Sequence, residues 1–361
     1  MLHLRSIIVA ALLTLSLTVT ITSIYTTAQI KAQLPPIPTK LKETFKTSIE
    51  ALSPHLFQDK KPVSTSIHPS SPYYHAAYAT FLSTSVDNST DPTDGYFLGA
   101  RVLAHSLLHH HHTKTKHSIP FLVLVTPDVP ISLRHRLELD GATVVEVHHI
   151  HASWIKPGDA RWRDVLAKLH LFSMTSYRKI CFLDADTLVT GNLDGVFEDA
   201  ATRPQYTHED AAQIHADEAA LPSSYTFAAH SEALGFYNHT IPPESHGYLN
   251  SGFFVLSPNT MLFNYYNSLL TSPSGSSKFA GVYPEQDLLN YAHRWDGNMP
   301  WQELKDWRWN VNWPTRRDHE KGARSFHAKY WEPKGSGGHD DVLWEMWQER
   351  KREMEEALGT A

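Results

Sequence analysis

Cysteine is all but missing from this sequence. Cys181 stands alone among 361 residues, so no intrachain disulfide can form. It falls inside an apolar run and reads as a small core residue, which leaves the redox compartment open. An excess of charge of one sign is also missing. Lys and Arg number 32 against 38 Asp and Glu, a net charge of −6. No basic footprint for nucleic acid is present, and nucleic acid is not an expected partner. There is no internal repeat. Long apolar runs are scarce, and the clearest covers residues 7–25, which carry no charge and follow Arg5. That stretch is about long enough to span a bilayer. It is also rich in Thr and Ser, and Thr26-Thr27-Ala28 offers small residues for cleavage. It is either an uncleaved signal anchor or a signal peptide. The anchor is favoured, although Lys31, Lys40 and Lys42 after it weaken the charge-asymmetry argument. Both readings send the remainder into the secretory lumen.

Histidine, by contrast, is abundant at 24 residues. His109 to His112 follow an apolar helix in a polar stretch and read as solvated. The expected organisation is a short cytoplasmic tail (1–6), the membrane segment (7–25), a Pro/Ser/Thr/Lys-rich stem (26–72), a folded domain (73–335) and a charged terminal helix (336–361). Asn88-Ser89-Thr90 and Asn238-His239-Thr240 are candidate glycosylation acceptors. Within the folded part, strands are predicted at 76–84, 119–125, 143–147, 180–183 and 248–256. Helical spacing covers 95–108, 131–139, 161–177, 259–270 and 284–293. Residues 203–243 read as an irregular, polar and aromatic functional loop. The tryptophan-dense stretch 295–331 reads as core packing ahead of sugar stacking. Strands alternating with helices predict an α/β fold with a largely parallel sheet covered on both faces.

The chemistry concentrates after residue 179. Ile180-Cys181-Phe182-Leu183 is unbroken apolar sequence, as in a strand buried on both faces. It ends in Asp184-Ala185-Asp186. Two unpaired carboxylates beside a core repel each other and resist desolvation. A divalent cation removes both problems, and hard oxygen ligands suit Mg²⁺ or Mn²⁺ held between carboxylates and substrate phosphates. The bland alternative is that both carboxylates cap the following turn.

Ordered blocks run along 73–334: Phe81-Leu82-Ser83-Thr84, Asp94-Gly95-Tyr96-Phe97-Leu98-Gly99-Ala100, Leu166-Ala167-Lys168-Leu169-His170, Phe182-Leu183-Asp184-Ala185-Asp186-Thr187-Leu188, Tyr248-Leu249-Asn250-Ser251-Gly252-Phe253, Pro284-Glu285-Gln286-Asp287-Leu288-Leu289-Asn290 and Ser325-Phe326-His327 with Lys334. Together they resemble glycosyltransferase family 8, the retaining nucleotide-sugar transferases that include glycogenin. The first two blocks look like its first strand and nucleotide-binding helix, and the fourth is close to the family's metal motif. The resemblance implies a GT-A type, Rossmann-like single domain with a mostly parallel sheet, and transfer of a hexose or related sugar from a UDP-sugar to a glycan or glycoconjugate. It implies Mn²⁺, with Mg²⁺ as the alternative, held by Asp184, Asp186 and His327. Tyr96 would stack on uracil, with Leu82 and Thr84 contacting the base. Lys168 would bridge phosphate and sugar. Asn250 would hold sugar hydroxyls, while Ala185, Ser251 and Gly252 would line the donor. Glu285 and Gln286 would lie near the reacting carbon. A phosphate-binding lysine is expected at Lys334, with Lys329 the other candidate.

Two departures matter. Glu285 stands where the family often has Asp, and the Lys-Pro-Trp ending is rearranged to Trp331-Glu332-Pro333-Lys334. No convincing self-glucosylated tyrosine segment occurs between 310 and 327. Two rivals stay in view: a non-catalytic nucleotide-sugar-binding protein on the same scaffold, and a phosphatase of the haloacid dehalogenase type, which Leu188 at the motif's fifth position disfavours. A Golgi or other secretory membrane location, single-pass with the domain lumenal, is the expected setting, with secretion after cleavage as the alternative.

Overall fold

Small and aromatic residues fill Ala76–Leu82, and all seven are buried, as in a strand covered on both faces. This is β1. The computed structural model describes residues 71–84, 94–209, 214–336 and 339–360. The expected tail and membrane segment (1–25), nearly all of the stem and the Asn88 acceptor lie outside the described residues. Among those described, no helix is long and apolar enough to cross a membrane.

After β1 come α1 (Gly95–Ala104), β2 (Phe121–Val125), α2 (Ile131–Leu139), β3 (Thr143–Glu146), β4 (Lys179–Leu183) and β5 (Thr187–Val189). A small ribbon, β6 (Gln205–Tyr206) with β7 (Ser224–Tyr225), precedes β8 (Phe227–Ser231) and β9 (Leu249–Leu256). The chain continues through α3 (Thr260–Thr271), α4 (Gly275–Lys278), α5 (Pro284–Ala292), β10 (Gln302–Glu303) and β11 (Val311–Asn312). It closes with α6 (Arg316–Glu320), β12 (Ser325–His327) and α7 (Asp341–Leu358).

The main sheet has seven strands in the order β10-β8-β9-β4-β1-β2-β3. The β4-β1-β2-β3 run is parallel throughout, and β8 and β10 are also parallel. Only β9 runs against its neighbours β4 and β8. The fold is therefore mixed α/β with a mostly parallel sheet. The chain steps outward from β1 to β3 and then returns across β1 to β4. Strand order reverses between β1 and β4, and open α/β sheets bind ligands outside the carboxyl ends of strands at such a reversal. Asp184 is the first residue past the end of β4.

Both faces are covered. Phe97 and Leu103 of α1 and Leu133 and Leu137 of α2 pack with Tyr78, Val123, Cys181 and Leu183. On the other face, Leu166, Leu169 and Phe172 join Leu262 and Tyr266 of α3 and Leu288 of α5 over Ala77, Phe182 and Phe254. A second sheet, β11-β12-β5, anchors a third cluster with Leu343, Trp347 and Met354 of α7.

Three local expectations are revised. The helix expected over 161–177 is two tight 3-10 segments, Ala160–Trp162 and Val165–Ser173. Seven of the nine residues in the second are buried, so no single apolar stripe selects an α-helix, and packing between sheet and helices imposes the tighter winding. The helix expected to reach residue 108 leaves α geometry after Ala104 and ends in a π turn, His105–His109. The loop expected over 203–243 contains β8, a strand of the main sheet. Its Phe-Ala-Ala-His-Ser sequence has little strand propensity of its own, and pairing with β9 and β10 defines it. The tryptophan stretch serves mainly as packing, as expected: Trp301 and Trp309 are buried and Trp307 and Trp331 pack against the third cluster, with Trp295, 76% exposed, the exception.

Beneath the sheet, His293 is fully buried between the Tyr266 hydroxyl (2.6 Å) and the Met299 carbonyl (2.7 Å). Burial pushes its pKa down to about 4 from the ordinary 6.5. A depressed folded-state value means that its stabilising contribution is full above pH 6.5 and is lost as pH falls towards 4. The loss is on the order of 3 kcal/mol. Thermal unfolding across that window should be flatter for His293→Gln than for the unmodified chain. Parallel profiles would refute the assignment.

Candidate metal centre and adjoining cleft

The carboxylate turn is fixed from three sides. The Asp184 amide donates to the Gly252 carbonyl at 2.9 Å, tying the end of β4 to β9. On the second side α1 presses on Ala185: a Cβ at Gly99 would lie 2.3 Å from the Ala185 carbonyl oxygen. From the third, β12 pairs antiparallel with β5, placing His327 opposite Thr187, and the Ala328 amide donates to the Asp186 carbonyl at 2.9 Å. His327 thereby reaches the turn, with Nε2 3.0 Å from Asp186 Oδ1 and 3.7 Å from Asp184 Oδ2. Candidate ligand atoms of Asp184, Asp186 and His327 all lie within 4.8 Å of one another. The imidazole lies against Gly252, where a Cβ would stand 2.3 Å from its Cε1. Only glycine leaves room for that ring.

Cations balance these carboxylates. Lys168 Nζ is 2.7 Å from Asp184 Oδ1 and donates to Glu285 Oε1 at 2.8 Å. Lys329 Nζ is 3.3 Å from Asp186 Oδ2. Burial pushes the Asp184 pKa up, and the repulsion of Asp186 adds to that; Lys168 offsets only part, so it stays raised. For Asp186 burial also acts upward, but His327 and Lys329 outweigh it and hold the carboxyl well below the usual range. Burial disfavours the charged forms of Lys168 and His327, yet their carboxylate partners prevail and both pKa values rise. His327 and Asp186 thus favour each other's charged forms. Two carboxylates and one imidazole converge on a point that favours positive charge, a donor set that could hold a divalent ion.

Around this centre, Ser251 donates through its amide (2.8 Å) and hydroxyl (3.1 Å) to Gln286 Oε1, and its hydroxyl also reaches Glu285 Oε1 at 3.2 Å. Asn250 accepts from the Gly252 amide at 2.8 Å and donates to Glu232 Oε2 at 2.7 Å. Glu232 in turn accepts from Trp313 Nε1 at 2.6 Å. A cavity of about 280 Å³ opens beside the centre, lined by Leu82, Thr84, Tyr96, Arg161, Lys329 and Trp331 among others. Tyr96 sits in the first turn of α1, where Asp94 caps the Tyr96 and Phe97 amides at 3.0 Å each. Trp331 meets the Tyr96 ring edge-on at 4.9 Å. Lys329 belongs to both places, lining the cavity and pairing with Asp186.

The structure therefore brings Lys168, Asp184, Asp186, Ser251, Gly252, Glu285, Gln286 and His327 together, with Asn250 adjoining. Ala185 contributes backbone to the turn, while Leu82, Thr84 and Tyr96 line the adjoining cavity. Lys334 is the exception. Its Nζ lies 2.5 Å from Glu345 and 4.0 Å from Asp341, exposed against α7, and Lys329 occupies the position beside the carboxylates. Arg161, Trp331 and Glu232 were not anticipated in these positions. Arg161 lies in the short 3-10 segment Ala160–Trp162, which carries no motif, and Glu232 lies in the stretch taken for irregular.

Lys168→Met would leave Asp184 and Glu285 without their shared buried cation. We expect a loss of about 3–5 kcal/mol of stability, visible as a clear fall in melting temperature. An unchanged melt would show that the lysine does not hold this cluster together.

The family model of Glycosyl transferase family 8 matches residues 91–329. An uncharacterized protein of Schizosaccharomyces pombe is 29% identical over 303 residues, covering 74% of this chain and 77% of that protein. Galactinol synthase 7 of Arabidopsis thaliana is 28% identical over 221 residues, 59% of this chain and 60% of the relative. Human glycogenin-2 is 38% identical over 111 residues, 29% of this chain and 21% of its own length. Among solved structures, the galactosyltransferase LgtC in complex with donor and acceptor sugar analogs aligns over 79% of this chain and 97% of its own, at 16% identity and a TM-score of 0.45.

Proposed function

The chain belongs to glycosyltransferase family 8 and is a glycosyltransferase, and from that premise we propose that it moves a hexose or related sugar from a UDP-sugar to a glycan or glycoconjugate with retention of configuration. The observation that carries this reading is the convergence of Asp184, Asp186 and His327 at the strand-order reversal, joined through Lys329 to the cavity bearing Tyr96. The phosphatase alternative is set aside, because the family match spans the carboxylate motif.

Asp184, Asp186 and His327 would hold Mn²⁺, or Mg²⁺, which when bound supplies Lewis-acid neutralisation of the departing diphosphate. The chain's own groups do the rest. Tyr96 offers a ring face to uracil, with Leu82 and Thr84 at the base edge. Lys329 sets a fixed positive charge where the leaving group gains negative charge. Asn250, held at one end by Glu232 and at the other by the Gly252 amide, is oriented towards donor hydroxyls. Ser251 and Gly252 let backbone approach the sugar. Lys168 steadies Asp184 while offering its charge to phosphate and sugar. Glu285 is occupied by Lys168 and Ser251. That engagement favours electrostatic support of a positively charged sugar over nucleophilic attack by Glu285, and so favours same-face transfer. Gln286, which accepts from Ser251 twice, positions that segment.

The domain reading goes with this proposal: tail 1–6, anchor 7–25, stem 26–72, catalytic domain 73–335 and terminal helix 336–361, facing a Golgi or related lumen. The full chain should then stay with membranes on alkaline extraction, and removal of residues 1–25 should release it. Recovery of the full chain in the soluble fraction would remove the anchor from the reading.

UDP release from a panel of UDP-sugars should require Mn²⁺ and stop with EDTA. Asp186→Ala should slow it by roughly 100-fold or more, and Lys329→Ala by a comparable factor, while Lys334→Ala stays near the unmodified rate. Metal-independent turnover, or full activity in Asp186→Ala, defeats the mechanism. UDP binding without turnover on any donor would favour the binding-protein alternative.

A further inference from the structure

A second group of ligand-type side chains lies apart from the carboxylate turn. His149 and His151 follow β3, and the His-Ile-His spacing lets alternate residues face one side where the chain is extended. Their rings stack at 5.4 Å with an interplanar angle of 13°. Facing them is Asp164, which is 3% exposed. It occupies the N-cap position of the Val165–Ser173 segment, yet its side chain makes no capping hydrogen bond there. Its Oδ1 instead lies 3.1 Å from His149 Nδ1, with the exposed Arg163 guanidinium 4.0 Å away. Candidate ligand atoms of His149, His151 and Asp164 all fall within 4.8 Å of one another.

The second nitrogen of His149 carries the argument further. Its Nε2 lies 3.0 Å from Asp128 Oδ1. Metal-bound histidines usually donate their other ring N–H to a carboxylate, which fixes tautomer and ring orientation. Ligand atoms on a tetrahedral ion with bonds of about 2.0 Å stand about 3.3 Å apart, close to the separation of His149 Nδ1 and Asp164 Oδ1. Asp128 is itself held, accepting from the Thr84 hydroxyl and, at 3.4 Å, from the Thr84 amide.

We propose that His149, His151 and Asp164 form a second cation site, of zinc type, in which Asp128 orients His149 from outside the coordination shell and the remaining position opens to solvent. Two imidazoles and one carboxylate suit Zn²⁺, whereas the oxygen-rich set at Asp184 and Asp186 suits Mn²⁺ or Mg²⁺. The site would pin three segments together: the turn after β2 through Asp128, the chain after β3 through His149 and His151, and the start of the 3-10 segment through Asp164. Through Thr84 it abuts the cavity assigned to the base. A metal-free account, in which a protonated His149 bridges Asp128 and Asp164, gives His151 no part. The two accounts therefore separate at His151, whose exposure makes it tolerant of substitution.

The test uses the untagged full chain, stripped with chelator, loaded with Zn²⁺ and dialysed against excess Mg²⁺, with retained zinc measured by elemental analysis. Stoichiometric zinc is expected in the unmodified chain and in His111→Ala, and its loss in His151→Ala. Asp128→Asn should weaken retention by roughly 10- to 100-fold. Co²⁺ loading should give the intense visible bands of a tetrahedral site, absent from His151→Ala. A melting profile of each variant separates loss of metal from loss of fold. No retained zinc in the folded unmodified chain, or equal retention in folded His151→Ala, overturns the proposal. Neither result decides the sugar-transfer reading, because the site shares no ligand with Asp184, Asp186 and His327.

Discussion

The arrangement depends on crowded negative charge at the end of one buried strand. Asp184, Asp186 and Glu285 are brought close together, with two of the three buried. Left alone, such a group would neutralise itself by taking up protons. It is instead surrounded by Lys168, Lys329 and His327, each delivered by a different part of the chain. The 3-10 segment brings Lys168, the short β12 strand brings His327, and the turn after β12 brings Lys329. The opposite directions of the Asp184 and Asp186 shifts follow from this placement. Asp186 has His327 and Lys329 within 3.3 Å, whereas Asp184 has Lys168 close by and feels the repulsion of Asp186. Carboxylates crowded at one turn in this way form a donor set that a divalent ion could also satisfy.

The second sheet serves the same end. β5 continues from the carboxylate turn, and β12 returns alongside it, so a residue distant in sequence is held in register with the motif by ladder hydrogen bonds. Trp347 and Leu343 of α7 pack beneath this sheet, and Arg350 donates to the Val189 carbonyl at 3.1 Å. The terminal helix thereby braces the strand pair that positions His327.

Much of this was readable from residues alone. The apolar run ending in Asp184-Ala185-Asp186 announced a buried strand with a chemical ending, and Pro284 opening an acidic first turn announced α5. Alternation of strands and helices gave the parallel sheet. What escaped had weak local signals. β8 is a strand by virtue of its neighbours, since Ala228 and Ala229 carry no preference for it. The Val165–Ser173 segment is buried nearly all round, so periodicity could not tell a 3-10 winding from an α-helix. Lys329 and Lys334 were indistinguishable by type. The difference arises from Glu345, a partner on a separate helix. The pairing of Asp128, His149 and Asp164 has no motif at all, because three separate segments supply it.

The contact between Gly99 and the Ala185 carbonyl has a consequence for how this scaffold can diversify. The helix that carries Tyr96 meets the loop that carries the two aspartates main chain to main chain at Gly99, with the Trp331 ring at its edge. Any substitution that thickened this seam would push the aromatic shelf and the carboxylates apart.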